Sequence, residues 1–361
     1  MIRHKSFKDE HQLRVFVREK IPSDAYHSAA YYSNPERDMA AKGWKGADLV
    51  FDIDADHIQT PCKMSHDIWR CKSCNSSGRG SVPGSCPKCR ASTFDKEEWL
   101  CEICLERAKD ELIKLIEYLE ADFGIGHEEL YAYFSGHRGY HVHVTADSVR
   151  PLSDSERREI TDYLTAQGIE VDLEQLRLNR FNINQGGWRG RILQGVYEYI
   201  LKTRREELLE MGLSEASADI LLAWVDKPES ALGTVVRKLT RREAEVFSQL
   251  VDRAVALKAI PIDTVVTTDV HRLIRLDGSL HSKTGFAVTQ VPISGIDSFD
   301  PFSYAPVLTG EDEVYVKVAP QFRIGQKTFG PYEGQKVILP TNAAVLLVAK
   351  GRAEPSGQIN L

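Results

Sequence analysis

Between Ala47 and His57 the chain reads ADLVFDIDADH, with apolar and acidic residues taking turns from Phe51 onward. A period of two predicts a strand with one buried face, ending in polar residues. Further strands are predicted at Leu130 to Phe134, at Tyr140 to Val144 after a turn, at Asp263 to Val266 and at Gly285 to Val291. The helical period governs Glu10 to Lys20, which a turn at Pro22 follows. It also governs LERAKDELIKLIEYLEADFG, where Leu112, Ile113, Leu115, Ile116 and Leu119 form one stripe and Gly124 stops the helix. From Pro151 to about Lys258 helical patterns dominate, with Ser153 or Asp154 as the cap before Glu156. Asp269 is placed to cap a helix through VHRLIRL. QFRIGQKTFGPYEGQ predicts a hairpin leading to a final helix, and Ala343 to Ala349 is a short buried element. Strands and helices alternating around an inserted helical block predict an α/β fold, mixed with α+β character.

Composition narrows the class. At 361 residues, 42% hydrophobic and 27% charged, the chain fits a globular enzyme and not a disordered or collagenous one. No apolar stretch approaches the roughly 20 residues of a membrane-spanning helix, and MIRHKSFKDEH lacks the apolar core of a secretory signal. A soluble, cytoplasmic protein with no membrane partner is therefore expected. The net charge of −6 argues against a histone-like coating protein, although local patches decide nucleic-acid contact. One patch runs from Arg177 to Arg205: Arg177, Arg180, Arg189, Arg191, Lys202, Arg204 and Arg205 stand against the single acid Glu198. Trp188 lies among these arginines in GGWRGR, read as a flexible loop, so Trp188, Arg189 and Arg191 are candidates for strand contact.

The seven cysteines carry more information. Six form CxxC pairs at Cys71/Cys74, Cys86/Cys89 and Cys101/Cys104, and the seventh, Cys62, precedes His66 by four residues. Together they supply the ligands of two closed tetrahedral zinc sites, structural in kind. The inner pairs around SSGRGSVPGS read as a zinc ribbon, and Cys62, His66, Cys101 and Cys104 form the outer set. Spacing leaves a cross-braced pairing open.

Three constellations carry chemistry. In the strand ending FDIDADH, Asp52 and Asp54 share a face, roughly 6–7 Å apart along the chain, while Phe51, Ile53 and Ala55 point to the core. Two carboxylates on an apolar-backed strand call for a hard divalent cation, Mg²⁺ or Mn²⁺. In FSGHRGYHVHV two glycines allow a tight turn on which Ser135, Arg138 and His141 can converge on an anion. His141 and His143 share one strand face, with Val142 and Val144 on the other. The third constellation opens at Asp263 and adds Arg272, Arg275, His281 and Lys283. Carboxylates, anion turn, and carboxylate with basic loop together describe a two-metal nucleotidyl-transfer site.

GADLVFDIDADH, FSGHRGYHVHV, GGWRGRI, the block from Asp263 to His281 with RLDGSLHSKTG, FDPF and PQFRIGQKTFGPYE occur in order along nearly the whole chain. This set resembles the catalytic small subunit of archaeal-type DNA primase, in the archaeo-eukaryotic primase superfamily. The resemblance implies a two-lobed catalytic core with an inserted zinc module and a helical subdomain. Its parts would be a core of 1–59 and 105–150, a zinc insertion of 60–104, a mainly helical 151–258, and a second core part of 259–361. It implies that Asp52, Asp54 and Asp263 hold Mg²⁺ or Mn²⁺, and that Ser135, Arg138, His141, Arg275 and His281 meet the incoming triphosphate. Cys62, His66, Cys101 and Cys104 resemble the family's zinc knuckle, with the inner ribbon nested inside. Implied partners are a primase large subunit, a single-stranded DNA template and nucleoside triphosphates. The family usually has a Tyr-Tyr helix and an Arg-Glu-Phe strand ahead of the equivalent of Arg3 to Phe7, so a missing amino-terminal segment is expected.

The expected activity is primer synthesis for DNA replication, started de novo. One metal would activate a 3′-hydroxyl and the other would steady the departing pyrophosphate. The alternatives are a polymerase of the same superfamily acting in repair or bypass, a non-catalytic zinc-ribbon DNA-binding module, and a two-histidine phosphoesterase. The last needs a second motif like His143-Val144-Thr145, which His281-Ser282-Lys283 does not supply.

Overall fold

Three of the strands read from alternation pair with one another. In the computed structural model, which describes residues 2–171, 182–228, 232 and 236–356, a four-stranded sheet carries the acidic heptapeptide. Ahead of it lie α1 (Glu10–Lys20), capped by Asp9, and the short strands β1 (Tyr26–Ser28), β2 (Ala30–Tyr32) and β3 (Trp44–Ala47). Then comes β4 (Leu49–Asp54).

The cysteine-rich insertion contains α2 (Lys63–His66) and a three-stranded sheet of β5 (Ile68–Cys71), β6 (Ser77–Arg79) and β7 (Phe94–Glu97). The predicted long helix is α3 (Glu102–Phe123), with Leu112 and Leu115 fully buried. The chain returns through β8 (Leu130–Phe134) and β9 (Gly139–Val144). A helical stretch follows: α4 (Asp154–Leu164), α5 (Gly187–Lys202), α6 (Arg205–Glu210), α7 (Glu215–Val225) and α8 (Arg241–Lys258). Ser153 is the cap of α4, exchanging bonds with Glu156, whose carboxylate accepts the Ser153 N–H at 2.8 Å.

Beyond the helices come α9 (Thr264–Thr268), β10 (Leu273–Arg275), β11 (Thr289–Val291) and α10 (Pro301–Tyr304). The chain ends with β12 (Glu311–Ala319), the hairpin β13 (Phe322–Ile324) and β14 (Lys327–Phe329), then β15 (Tyr332–Pro340), α11 (Thr341–Ala349) and β16 (Ala353–Pro355). The predicted hairpin and final helix are thus present.

The central sheet runs β11-β8-β9-β4, antiparallel throughout. Residues opposite one another across such a ladder share a face, so register decides the chemistry. Asp52 stands opposite His141, which also stands opposite Tyr133; Asp54 stands opposite Gly139. The other face is core: Phe51, Ile53, Phe134, Tyr140 and Val142 are at most 1% exposed. Burial of each large side chain contributes about 1.5–3 kcal/mol, which pins the register, because a one-residue slip would turn the acids inward.

The chain forms two units. One comprises Met1–Lys114, Gly126–Arg158 and Pro261–Leu361; the other comprises Leu115–Ile125 and Glu159–Ile260. The second unit has its own core, with Trp188, Val196, Leu221, Trp224, Phe247 and Leu250 buried together. The end of α3 belongs to this unit, a division that the predicted boundaries at 151 and 258 do not include.

Three local expectations are corrected. Asp263 does not open a strand but caps α9, its Oδ1 accepting the Val265 N–H at 3.0 Å. The β-branched run Thr264 to Thr268 favours strand, yet an N-cap aspartate and the tertiary setting override that weak preference. Asp269 opens no helix through VHRLIRL: it is the C-cap of α9, donating its N–H to the Val265 carbonyl, and its Oδ1 accepts the His271 N–H, closing a turn into β10, which pairs with β1. The strand expected over Gly285 to Val291 is confined to Thr289–Val291.

Candidate active site

β4 is the edge of its sheet, so its outer backbone groups seek partners. The Asp52 carbonyl accepts the Asp263 N–H at 2.9 Å, which brings the third acid beside the first. On the ladder side, His141 Nε2 lies 3.5 Å from Asp52 Oδ1. Asp54 rests one carboxylate oxygen on the Asp56 N–H at 2.9 Å, as Asp263 does on Val265. Burial, and then the neighbouring carboxylates of Asp56 and Asp52, push the Asp54 carboxyl up to about 6. Oxygen donors on one face, crowded by like charge, are the donor set a hard divalent cation takes. The residues therefore fit Mg²⁺ or Mn²⁺, although among the described residues the acids are not gathered within reach of one ion.

The β8–β9 turn supplies the opposite charge. Gly136 has φ +80°, and a Cβ there would stand 2.9 Å from both His281 Cβ and the Phe286 carbonyl. A Cβ on Gly139 would clash with the Ile53 carbonyl. Only glycine lets the turn lie this close to β4 and to the His281 loop. Within it the Gly139 carbonyl accepts the Ser135 N–H, and Ser135 Oγ accepts the His137 N–H at 3.3 Å. His281 Nδ1 accepts the Lys283 N–H, and burial followed by Arg275 and Lys283 pushes its imidazole down to about 3. Burial also lowers His141 despite Asp52 beside it, and its Nδ1 is buried without a hydrogen-bond partner. One ring nitrogen thus keeps its bonding capacity for a ligand.

Arg138 is placed differently from a simple anion clamp. It is 1% exposed, with Nε 3.2 Å from Asp56 and its two terminal nitrogens on both oxygens of Asp67. Arg275 pairs with Asp24 and donates to Tyr26 Oη at 3.0 Å. It also lines a cavity of about 260 Å³ with His27, Tyr133, His141, His143 and Asp277.

Two residues not singled out in the sequence join the basic side. His137 stacks on His281 at 4.9 Å between centroids, and its Nε2 is 2.9 Å from Lys350 Nζ. His137 stood within the glycine motif, a signal that could have found it. Lys350 follows an apolar helix and had none.

The cysteines form two sets, and the cross-braced option does not occur. Cys62, His66, Cys101 and Cys104 gather in one, Cys71, Cys74, Cys86 and Cys89 in the other, each within 4.8 Å. Sulfur–sulfur distances are 3.5 Å for Cys62/Cys104, 3.5 Å for Cys71/Cys89 and 3.7 Å for Cys74/Cys86. A tetrahedral zinc with bonds of about 2.3 Å sets roughly 3.8 Å between its sulfurs. Both sets fit zinc.

Comparison with known proteins decides the family. The model of the DNA primase small subunit family matches residues 91–293. The DNA primase small subunit PriS of Cenarchaeum symbiosum is 33% identical over 360 residues, 98% of this chain and 88% of that protein. That of Archaeoglobus fulgidus is 36% identical over 359 residues, covering 98% and 86%, and that of Nitrosopumilus maritimus 31% over 357, covering 97% and 87%. The chain belongs to the DNA primase small subunit family.

For a primase the template contact matters, and here the expectation for GGWRGR is corrected. The segment is no flexible loop but the first turn of α5. Trp188 is 7% exposed, donating its indole N–H to the Tyr163 carbonyl at 2.8 Å. Arg191 is buried against Asp122 and lies over the Tyr118 ring at 3.6 Å. These side chains are committed to the helical core, so neither stacks on a base or meets a phosphate as placed. Arg189 alone of the three is exposed. Arg177 and Arg180 lie outside the described residues.

Proposed function

We propose that the chain is the catalytic subunit of a primase, synthesising short RNA primers on single-stranded DNA for replication. The observation that carries this reading is the edge of β4. There Asp52, Asp54 and Asp263 adjoin the glycine turn with Ser135, His137 and, on β9, His141, and His281 from its own loop stacks on His137. Asp52, Asp54 and Asp263 would hold Mg²⁺ or Mn²⁺. Such ions, when bound, neutralise charge on the attacking and leaving oxygens of an in-line phosphoryl transfer.

The chain's own groups orient the nucleotide. Ser135, His141 and His281 offer hydrogen bonds to a triphosphate, while Arg138, Arg275 and Lys350 supply positive charge. Burial lowers the His141 imidazole, which favours its use as a hydrogen-bonding group over use as a cation. The two cysteine sets would hold two structural zinc ions. A large subunit is the expected partner, and Arg189 is the candidate template contact on α5.

The test is an assay with single-stranded template, labelled ribonucleotides and Mg²⁺ or Mn²⁺, with and without the large subunit. Products begun from two free nucleotides are expected. Extension of supplied primers without initiation would favour the repair or bypass polymerase. Metal-independent strand binding with no synthesis would leave only the zinc-ribbon module.

A further inference from the structure

Asp67 lies between the outer cysteine–histidine set and the glycine turn and bonds to both. It follows His66, is 6% exposed, and lies 71 positions before Arg138. Its Oδ1 faces His66 Nδ1 at 2.7 Å and accepts the Trp99 N–H and an Arg138 N–H, both at 3.2 Å; its Oδ2 accepts a second Arg138 N–H at 3.0 Å. Four donors saturate one buried carboxylate. With Nδ1 of His66 donating to Asp67, Nε2 carries the lone pair, and it faces Cys104 Sγ at 3.6 Å inside the outer metal set. A carboxylate behind a metal-ligating histidine fixes its tautomer and ring plane. Here the same carboxylate also grips the arginine of the nucleotide turn in a two-bond fork.

A merely structural ion pair would require no histidine at its other end, and a merely supporting carboxylate would require no arginine. Without Asp67 the guanidinium keeps Asp56, 3.2 Å from Nε and two residues from Asp54. It would then settle toward the acidic edge.

We propose that Asp67 is a positioning residue that couples filling of the outer zinc site to placement of Arg138 for the nucleoside triphosphate, an inference that rests on reading Arg138 as a phosphate contact. By reciprocity, what disturbs Arg138 must also disturb the outer metal.

The test uses the full chain reconstituted with cobalt(II), in which the four-sulfur site and the site of three sulfurs and one nitrogen have distinct visible bands. Metal affinity of each site is measured by chelator competition, ATP affinity by equilibrium binding, and KM and kcat by primer synthesis on the zinc form. Asp67→Asn is expected to weaken the sulfur–nitrogen site about 10–100-fold and to leave the four-sulfur site unchanged. The latter is the internal control for folding of the insertion. The same variant should raise the ATP dissociation constant and KM on the order of tenfold, with kcat much less affected. Arg138→Lys, which keeps the charge but loses the fork, should weaken the sulfur–nitrogen site as well. An Asp67→Asn protein with weakened metal but unchanged ATP affinity overturns the coupling, and so does an Arg138→Lys protein with unchanged metal affinity. Unchanged ATP affinity in Arg138→Ala would instead remove the phosphate contact itself. The metal titrations contain no nucleotide, so the two failures are told apart.

Discussion

Asp52 and Asp54 stand on a face whose reverse is wholly buried, so replacing either carboxylate leaves the packing of β4 intact. Asp52→Ala or Asp54→Ala should therefore lower primer synthesis by roughly a thousandfold or more, the several kcal/mol a divalent ion contributes to the transition state. Thermal melting should shift little. Near-normal synthesis by either variant, at an unchanged circular dichroism spectrum, would remove the metal assignment. The pair was legible because a strand's period of two is written locally in FDID. The company of Arg138 was not, since Asp67 lies in the cysteine-rich insertion and no spacing rule links it to a glycine turn 71 residues on. Lys350 is the extreme case, meeting His137 across 213 positions.

Elements were legible where one period ran long and misread where short segments answered to distant neighbours. α3, β8 and β9 follow their patterns; α9 takes its form from an aspartate cap and a bond to the free edge of β4. The GGWRGR segment misleads for a related reason. Arginine and tryptophan suggest a nucleic-acid surface, but the helical period turns Trp188 and Arg191 to one buried side and Arg189 outward. Trp188→Ala should thus cost about 3–5 kcal/mol of stability in denaturant titration. Arg189→Ala should cost almost none, but should reduce the salt dependence of single-strand binding by about one counterion. An equal loss of strand affinity in both, without destabilisation by Trp188→Ala, would restore the loop reading.

Lys350, at the end of α11, yields a pH profile. Burial and then Arg138 bring its ammonium down to about 8, with Lys283 acting the same way and Glu98 and Asp56 opposing. The charged form attracts triphosphate, so nucleotide KM should stay low below pH 8 and rise as the pH passes through it. Glu98, pushed up to about 7 by burial and Asp56, ionises below that window, and His137 and His281 are held neutral throughout it. Lys350→Arg should abolish the rise. A rise of the same size in that variant would assign it to another group.

At the scale of the molecule, the two cores were not separable from sequence along α3. Its apolar stripe says that the helix is buried without saying in which unit, and Leu115–Ile125 belongs with the helical one. The metal sites were legible as ligand sets because cysteine chemistry is local, and the same sets bear on stability. Metal analysis should find close to two zinc ions per chain. Cys71→Ser should lose one ion and loosen the ribbon sheet that begins at Ile68. Cys101→Ser should lose the other and cost more, because α3 starts at Glu102, immediately after this ligand, and carries the buried Leu105, Leu112 and Leu115. A closed site that anchors a helix of this length should lower Tm by roughly 5–10 °C when a ligand is removed. The inner variant should shift it by less, since its strands are short and largely exposed at β6 and β7. His66→Ala separates the sites from the other side: it should release the outer ion alone. One zinc per chain, unaltered by His66→Ala and with Cys101→Ser as stable as Cys71→Ser, would mean that the outer set holds no metal and that α3 begins without an anchor.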